Sequence, residues 1–175
     1  MNAPYRLYDH STVLLSDIEV AGLHEEIEFE GHTLFVKDEF HITLVAAKYL
    51  AEMISPNKQA PVINQILLEF DKFTATTPLD KYELSGNLRF AQVGEQKTII
   101  LMAKVPNLDQ LFEQLSQQFS VELPKQQTHV TLYRYPKDFI GIPIPSPKIL
   151  EDSSKSIDIP ELSLRCNDHF HQRQY

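Results

Sequence analysis

His41-Ile42-Thr43-Leu44 in the first half of the chain recurs in the second half as His129-Val130-Thr131-Leu132. Both copies of this His-x-Thr-Leu motif lie among β-branched and aromatic residues, which are typical of strands. Side chains two positions apart point to the same face of a strand. Each motif is therefore expected to present one imidazole and one hydroxyl on one face, and apolar side chains on the other. If the two motif strands lie side by side at the centre of the fold, the four polar groups line one cleft.

The residues around the motifs predict an α+β fold. Apolar residues at helical spacing follow Pro61, a shorter helix is predicted before residue 56, and another helix follows Pro106 with Asn107 as its N-cap. Strands are predicted at residues 26–30, 40–45, 82–91, 97–105, 128–133 and 159–166, with a hairpin turn at Gly94-Glu95. Four prolines between Pro136 and Pro147 are expected to exclude regular structure for about twenty residues. This proline-rich loop is expected to border the cleft.

Length and composition indicate a globular protein with one core. The chain has 175 residues, 42% of them hydrophobic and 23% charged, which is enough to form a core without disulfides or a structural metal. There is no run of about 18 apolar residues that could span a bilayer, so no membrane association is expected. Residues 1–6 do not resemble a secretory signal, and the single cysteine, Cys166, cannot form an internal disulfide. A cytoplasmic location is therefore expected.

The net charge of -8 at pH 7 bears on the class of partner. Proteins that bind duplex nucleic acid neutralise many phosphates with a basic surface, so the acidic balance argues against that class. A small phosphorylated ligand needs only a few local cations and donors, which net charge does not reveal.

The doubled motif suits the cleavage of a phosphodiester. Attacking water must lose a proton and the leaving oxygen must gain one, and two imidazoles can divide these tasks because each titrates near neutral pH. Threonine hydroxyls can donate to the non-bridging oxygens. A single histidine in an apolar strand is more often a structural residue, but two complete motifs among seven histidines favour catalysis. We expect neither a metal nor another cofactor.

The two motifs, separated by about half of the chain, resemble those of the 2H phosphoesterase superfamily. This group includes RNA 2′,3′-cyclic phosphodiesterases, 2′-5′ RNA ligase-like proteins and 2′-5′ phosphodiesterases. The resemblance implies a bilobal fold in which two pseudo-symmetric lobes turn antiparallel sheets toward a central groove. We expect one bilobal domain over residues 1–175, with lobes at about 1–76 and 77–175 and a possible exchange of strands between them. Residues 5–10 depart from the pattern, because many members begin with a compact apolar strand and this stretch is polar and irregular.

Carried over to this chain, the resemblance makes His41 and His129 the acid/base pair and assigns phosphate binding to Thr43 and Thr131. It implies His129 as the base toward water and His41 as the acid toward the leaving ribose oxygen. Two further residues follow on the second motif strand. Arg134 lies where bacterial members often have arginine and is a candidate phosphate contact. Tyr133 is expected on the same strand face as His129, where it could stack on a base.

The function expected is that of a metal-independent phosphodiesterase, a monomeric hydrolase acting on a 2′,3′-cyclic phosphate or a 2′-5′ linkage in RNA ends or small nucleotides. Two alternatives stay open, a non-catalytic protein that binds a nucleotide or RNA end and a nuclease that cleaves cyclic oligonucleotide signals. Other candidate sites are weak. His169 and His171 have metal-ligand spacing but are interpreted as a polar tail, and Cys166 is interpreted as a small core residue.

Overall fold

The computed structural model describes residues 4–160 and residue 162, and within them the chain forms an α+β fold with a large antiparallel sheet. The strands are β1 Tyr5–Tyr8, β2 Thr12–Leu15, β3 Glu26–Phe29, β4 His32–Val36, β5 Ile42–Ala46, β6 Glu83–Val93, β7 Gln96–Lys104, β8 His129–Tyr135 and β9 Ser154–Ile157. The helices are α1 Ala47–Ile54, α2 Gln59–Thr74, α3 Leu108–Phe119 and α4 Pro147–Ser153.

The two motif strands are neighbours in the middle of the sheet. Its strands follow the order β1-β2-β5-β8-β7-β6-β9, and every pair is antiparallel. The β3–β4 hairpin joins the sheet next to β5, because β4 pairs with the second half of β8. Strand β8 is therefore bonded to β7 along one edge and to both β5 and β4 along the other.

The core lies between one face of the sheet and the first three helices. Ile42 and Val130, from the two motif strands, are fully buried in it. Leu50 of α1, Phe70 of α2 and Leu111 of α3 belong to the same cluster, which follows from the helical spacing of their apolar residues. A smaller apolar cluster lies on the opposite face, where residues 142 and 144 of the proline-rich loop pack on Ala91 and Ile100. One face of the sheet therefore packs against the main core, and the smaller cluster covers only part of the other face.

Several predicted elements are confirmed. Helices α1 and α2 lie on either side of Pro56, and β6 and β7 form the hairpin around Gly94, which adopts φ +59°. Asn107 occupies the N-cap of α3, where its Oδ1 accepts a hydrogen bond from Gln110 Nε2 at 3.3 Å. None of the helices in residues 4–160 is long and apolar enough to cross a membrane.

Three predictions about individual segments need correction. The proline-rich region is only partly irregular: Pro147 begins α4, because a first-turn residue needs no N–H, and Ser146 Oγ accepts from Ile149 N at 3.3 Å. Residues 5–8 form β1, whose polar residues are tolerated because it is an edge strand. Residues 159, 160 and 162 are not part of a strand, and β9, the last strand among the described residues, ends at Ile157 and pairs with β6. Residues 161 and 163–166, which include Cys166, lie outside the described residues, as do His169 and His171.

Candidate active site

The relative position of the two motifs follows from one pair of residues in the sheet. Ile42 in β5 pairs with Val130 in β8, and both side chains are fully buried in the main core. The residues on either side of each must point to the opposite face. Continuing the antiparallel register places His41 across from Thr131 and Thr43 across from His129. The structure therefore brings both imidazoles and both hydroxyls to one patch at the centre of the sheet.

The ring of His129 is held by a backbone carbonyl. Its Nδ1 lies 2.9 Å from Gln127 O, and since a carbonyl only accepts, Nδ1 carries the proton in this contact. In the neutral ring, Nε2 then holds the lone pair. The residue is only 8% exposed, and burial lowers the pKa of His129 while the Gln127 carbonyl opposes this effect.

The ring of His41 has a different environment. Its Nδ1 is buried and has no hydrogen-bond partner among the residues that the structure describes. Burial, then the positive charges of Lys37 and Arg6, then His129 lower the pKa of His41 from 6.5 to about 4, while Glu39 acts in the opposite direction. His41 is thus neutral near pH 7 when no ligand is present. Its electrostatic coupling to His129 fits two rings close to one another.

Basic groups surround His41 although the chain as a whole is acidic. Lys37 Nζ donates to Ile140 O at 2.9 Å, and burial and Arg134 lower the pKa of this lysine. Arg6 pairs with Glu39 at 3.3 Å. Lys37 and Arg6 are not predicted from the sequence, because nothing in their local pattern marks them. Only the pairing of β1 with β2, and of β2 with β5, brings residue 6 near residue 41.

Tyr133 does not share the face of His129, so that prediction is wrong. Ile99 pairs with Tyr133 and Ile100 with Thr131, which leaves Leu132 as an extra residue in a β-bulge. The bulge turns Tyr133 into the main core, where it is fully buried. Its hydroxyl donates to His24 O at 3.2 Å and accepts from His24 N at 3.1 Å. It has no exposed surface on which a base could stack.

The same bulge moves Arg134 to the face of Thr131, where it pairs with Thr98 of β7. Its side chain is only 14% exposed. One terminal nitrogen donates to Asp38 Oδ2 at 2.8 Å and the other to Phe139 O at 3.3 Å. These donors are occupied within the chain, so Arg134 anchors the proline-rich loop. Its contact with a phosphate stays a prediction.

The proline-rich loop passes directly over Thr131. Gly141 has φ +142°, and a Cβ added there would lie 3.3 Å from Thr131 Oγ1, closer than a side chain normally tolerates. The positive φ favours glycine, and an added Cβ would also require the Thr131 side chain to shift slightly. Lys37 and Arg134 hold the two preceding residues by their carbonyls. The loop therefore forms one wall of the patch, and Ile140, 58% exposed, is its most open apolar side chain.

The described residues, 4–160 and 162, contain no cluster of three or more His, Cys, Asp or Glu side chains suited to a metal ion. Comparison of the chain with models of protein families, with curated proteins and with solved structures gave no match. The functional assignment therefore depends on the site itself.

Proposed function

We propose that the chain is a metal-independent phosphodiesterase that hydrolyses a 2′,3′-cyclic phosphate or a 2′-5′ linkage in an RNA end or small nucleotide. The observation that carries this proposal is the pairing of Ile42 with Val130, which puts both His-Thr pairs on one face of the sheet. Two imidazoles and two hydroxyls around one point are the groups that this reaction needs.

The hydrogen bond of the His129 ring supports a division of roles. Nε2 of His129 has the lone pair, because Nδ1 donates to Gln127, so His129 is the base that takes a proton from water. As water bonds to phosphorus, the bond from phosphorus to the ribose oxygen breaks, and that oxygen takes a proton from His41. Hydroxyls of Thr43 and Thr131 donate to the non-bridging oxygens, where negative charge accumulates.

Substrate binding would favour protonation of His41, which is neutral in the free chain, by a proton taken from solvent. Three cations and two carboxylates, namely Arg6, Lys37, Arg134, Asp38 and Glu39, leave this region with one net positive charge. A phosphodiester carries one negative charge, so it would offset the cations that keep His41 neutral. The pKa of His41 then rises, and the ring becomes an acid when the substrate is in place.

We also propose a bilobal fold with pseudo-symmetric lobes facing a central groove, and the strand order supports this. Strands β1-β2-β5 and β6-β7-β8 are both antiparallel triplets, in each of which a hairpin precedes a motif strand, and the two motif strands meet at the centre. We propose that these triplets represent the two lobes, divided near residue 76. Because β4 of the first half pairs with β8 of the second, the division would include an exchange of strands.

The test is turnover of adenosine 2′,3′-cyclic phosphate in the presence of a chelator. His41→Ala and His129→Ala are each expected to lower kcat by about 100-fold or more, the typical contribution of a general acid or base. The matched control is His10→Asn, which replaces an exposed histidine in the β1–β2 turn and should leave turnover unchanged. Full activity in both site variants would rule the proposal out.

A second candidate is a non-catalytic protein that binds a nucleotide or RNA end, and the low exposure of His129 favours it. A residue that is only 8% exposed has little surface to offer to an attacking water. Calorimetry and turnover measured with the same panel separate the two candidates. The panel contains cyclic phosphates, 2′-5′ dinucleotides and cyclic dinucleotides. Binding without turnover of any of them would identify a binding protein, and turnover of the cyclic dinucleotides alone would identify a signal nuclease.

A further inference from the structure

Four buried side-chain atoms lack hydrogen-bond partners within the described part of the chain, namely Ser16 Oγ, His41 Nδ1, Thr98 Oγ1 and Arg134 Nε. The first two belong to neighbouring segments of the first half of the chain. Buried donors and acceptors are almost always paired, because an unpaired group loses its contact with water and gains nothing in return. Ser16 Oγ and His41 Nδ1 do not bond one another in the structure, and each would gain a partner if a side-chain rotation brought them together.

The strand register places these two residues side by side. Leu15 of β2 pairs with Ile42 of β5, so the next antiparallel position sets Ser16 opposite His41. The backbone is still strand-like at this point, since Ser16 N donates to Pro4 O at 3.2 Å. Leu15 and Ile42 both point into the main core, so Ser16 and His41 both point to the opposite face. Directly opposite residues have Cβ atoms about 5 Å apart, within reach of a hydroxyl and an imidazole.

We propose that Ser16 is the positioning residue of His41, and that a rotation of its side chain brings its hydroxyl into a hydrogen bond with Nδ1 of the ring. Neither atom has a partner among the described residues, so in that arrangement the hydroxyl proton of Ser16 goes to the Nδ1 lone pair of the neutral ring. The proton of His41 is then on Nε2. When the ring becomes a cation, the hydroxyl rotates and accepts from Nδ1 instead, because a hydroxyl can do both.

This property distinguishes Ser16 from the carbonyl that holds the other ring. The carbonyl of Gln127 can only accept, so it keeps the proton of His129 on Nδ1. A serine keeps a partner for His41 in both protonation states. That suits an acid, which must change state in each turnover and must aim Nε2–H at the leaving oxygen. The catalytic part of this inference rests on the proposed function, while the contact itself does not.

The contact can be tested by NMR of the protein labelled with ¹⁵N-histidine, without any substrate. At neutral pH the wild-type spectrum is expected to show His41 with its proton on Nε2 and His129 with its proton on Nδ1. Ser16→Ala should move the Nδ1 resonance of His41 and leave that of His129 in place. Ser16→Thr keeps the hydroxyl and should restore the wild-type resonance. Ser11→Ala, at the other end of β2, is the matched control.

Kinetics add a second measurement. Ser16→Ala is expected to lower kcat for adenosine 2′,3′-cyclic phosphate by about threefold to tenfold with little change in KM, because one hydrogen bond that orients the acid is lost. Ser16→Thr should recover most of kcat.

The proposal is overturned if the wild-type ring has its proton on Nδ1, or if the His41 resonances are the same in Ser16→Ala. A threonine variant that behaves like the alanine variant has the same consequence. The wild-type spectrum decides the first point even if a variant fails to fold. A moved resonance in a protein without turnover would leave the contact standing and refute the proposed function instead.

Discussion

Acidification is expected to destabilise the folded chain through His41. The pKa of this histidine is lowered from 6.5 to about 4 in the folded state. Between these pH values the unfolded chain therefore binds a proton that the folded chain does not bind. Stability from this group is therefore fully present above about pH 6.5 and is lost as the pH falls toward 4. The cause is physical: burial and two nearby cations oppose a charge on the ring.

The size of the effect follows from the two pKa values. With 6.5 in the unfolded chain and about 4 in the folded chain, proton linkage between about pH 7.5 and about pH 5 amounts to about 2 kcal/mol. His41 is only partly buried, and solvent screening reduces the figure. We expect about 1 kcal/mol.

Urea unfolding at the two pH values measures this quantity. The pH-dependent loss of unfolding free energy should be smaller in His41→Gln than in the wild type by about 1 kcal/mol. Lys37→Met removes one of the two cations, so it should raise the pKa of His41 and reduce the loss in part. The matched control, His10→Gln, removes a histidine from the exposed β1–β2 turn.

If His41→Gln loses as much stability on acidification as the wild type does, His41 is not the cause of the loss. A pKa of His41 at or above 6.5 in a direct NMR titration would have the same consequence. A control variant that reproduced the effect of His41→Gln would show that the loss does not depend on the position of this ring.

Three further predictions concern the site and its wall. The pKa of each motif histidine is lowered, so the protonated fraction of the acid His41 decreases as the pH rises. We therefore expect kcat/KM for a cyclic phosphate to fall about tenfold per pH unit above about pH 6.5, and a flat profile up to about pH 8 would contradict this. Gly141→Ala should lower kcat more than Gly94→Ala does, because both strain a positive φ but only the first presses on the Thr131 hydroxyl; equal kcat values would remove the loop from the site. Tyr133→Phe should cost about 1 kcal/mol in urea unfolding through its lost bonds to His24 and leave KM unchanged, whereas a raised KM would mean that the ring contacts substrate after all.

Local patterns predicted much of the fold. Helical spacing located α2 and α3 within a few residues, and alternation with a glycine turn located the β6–β7 hairpin. These signals are local, since each depends on residues within one turn of helix or one strand. The pairing of His with Thr on one face of each motif strand was predictable for the same reason, because a strand alternates its side chains whatever its neighbours are.

Predictions failed where a neighbouring element changes the local rule. Tyr133 follows the alternation of β8 in the sequence, but the bulge at Leu132, formed against β7, reverses its direction. The surrounding prolines predict irregular structure at Pro147, yet a capping serine makes it the first residue of α4. Residues 5–8 are too polar for a central strand, and they form a strand only because β2 offers an edge.

The sequence by itself determined that two His-Thr pairs exist and that each lies on the polar side of a strand. The tertiary structure alone decided that the two strands are neighbours, through the contact of Ile42 with Val130. It also decided the surroundings of His41, because Arg6 and Ser16 approach this ring only when β1, β2 and β5 pair, and Lys37 follows β4, which is held by its pairing with β8. Side-chain periodicity is a property of one segment, whereas the charge and hydrogen bonds around a ring depend on every segment that folds against it.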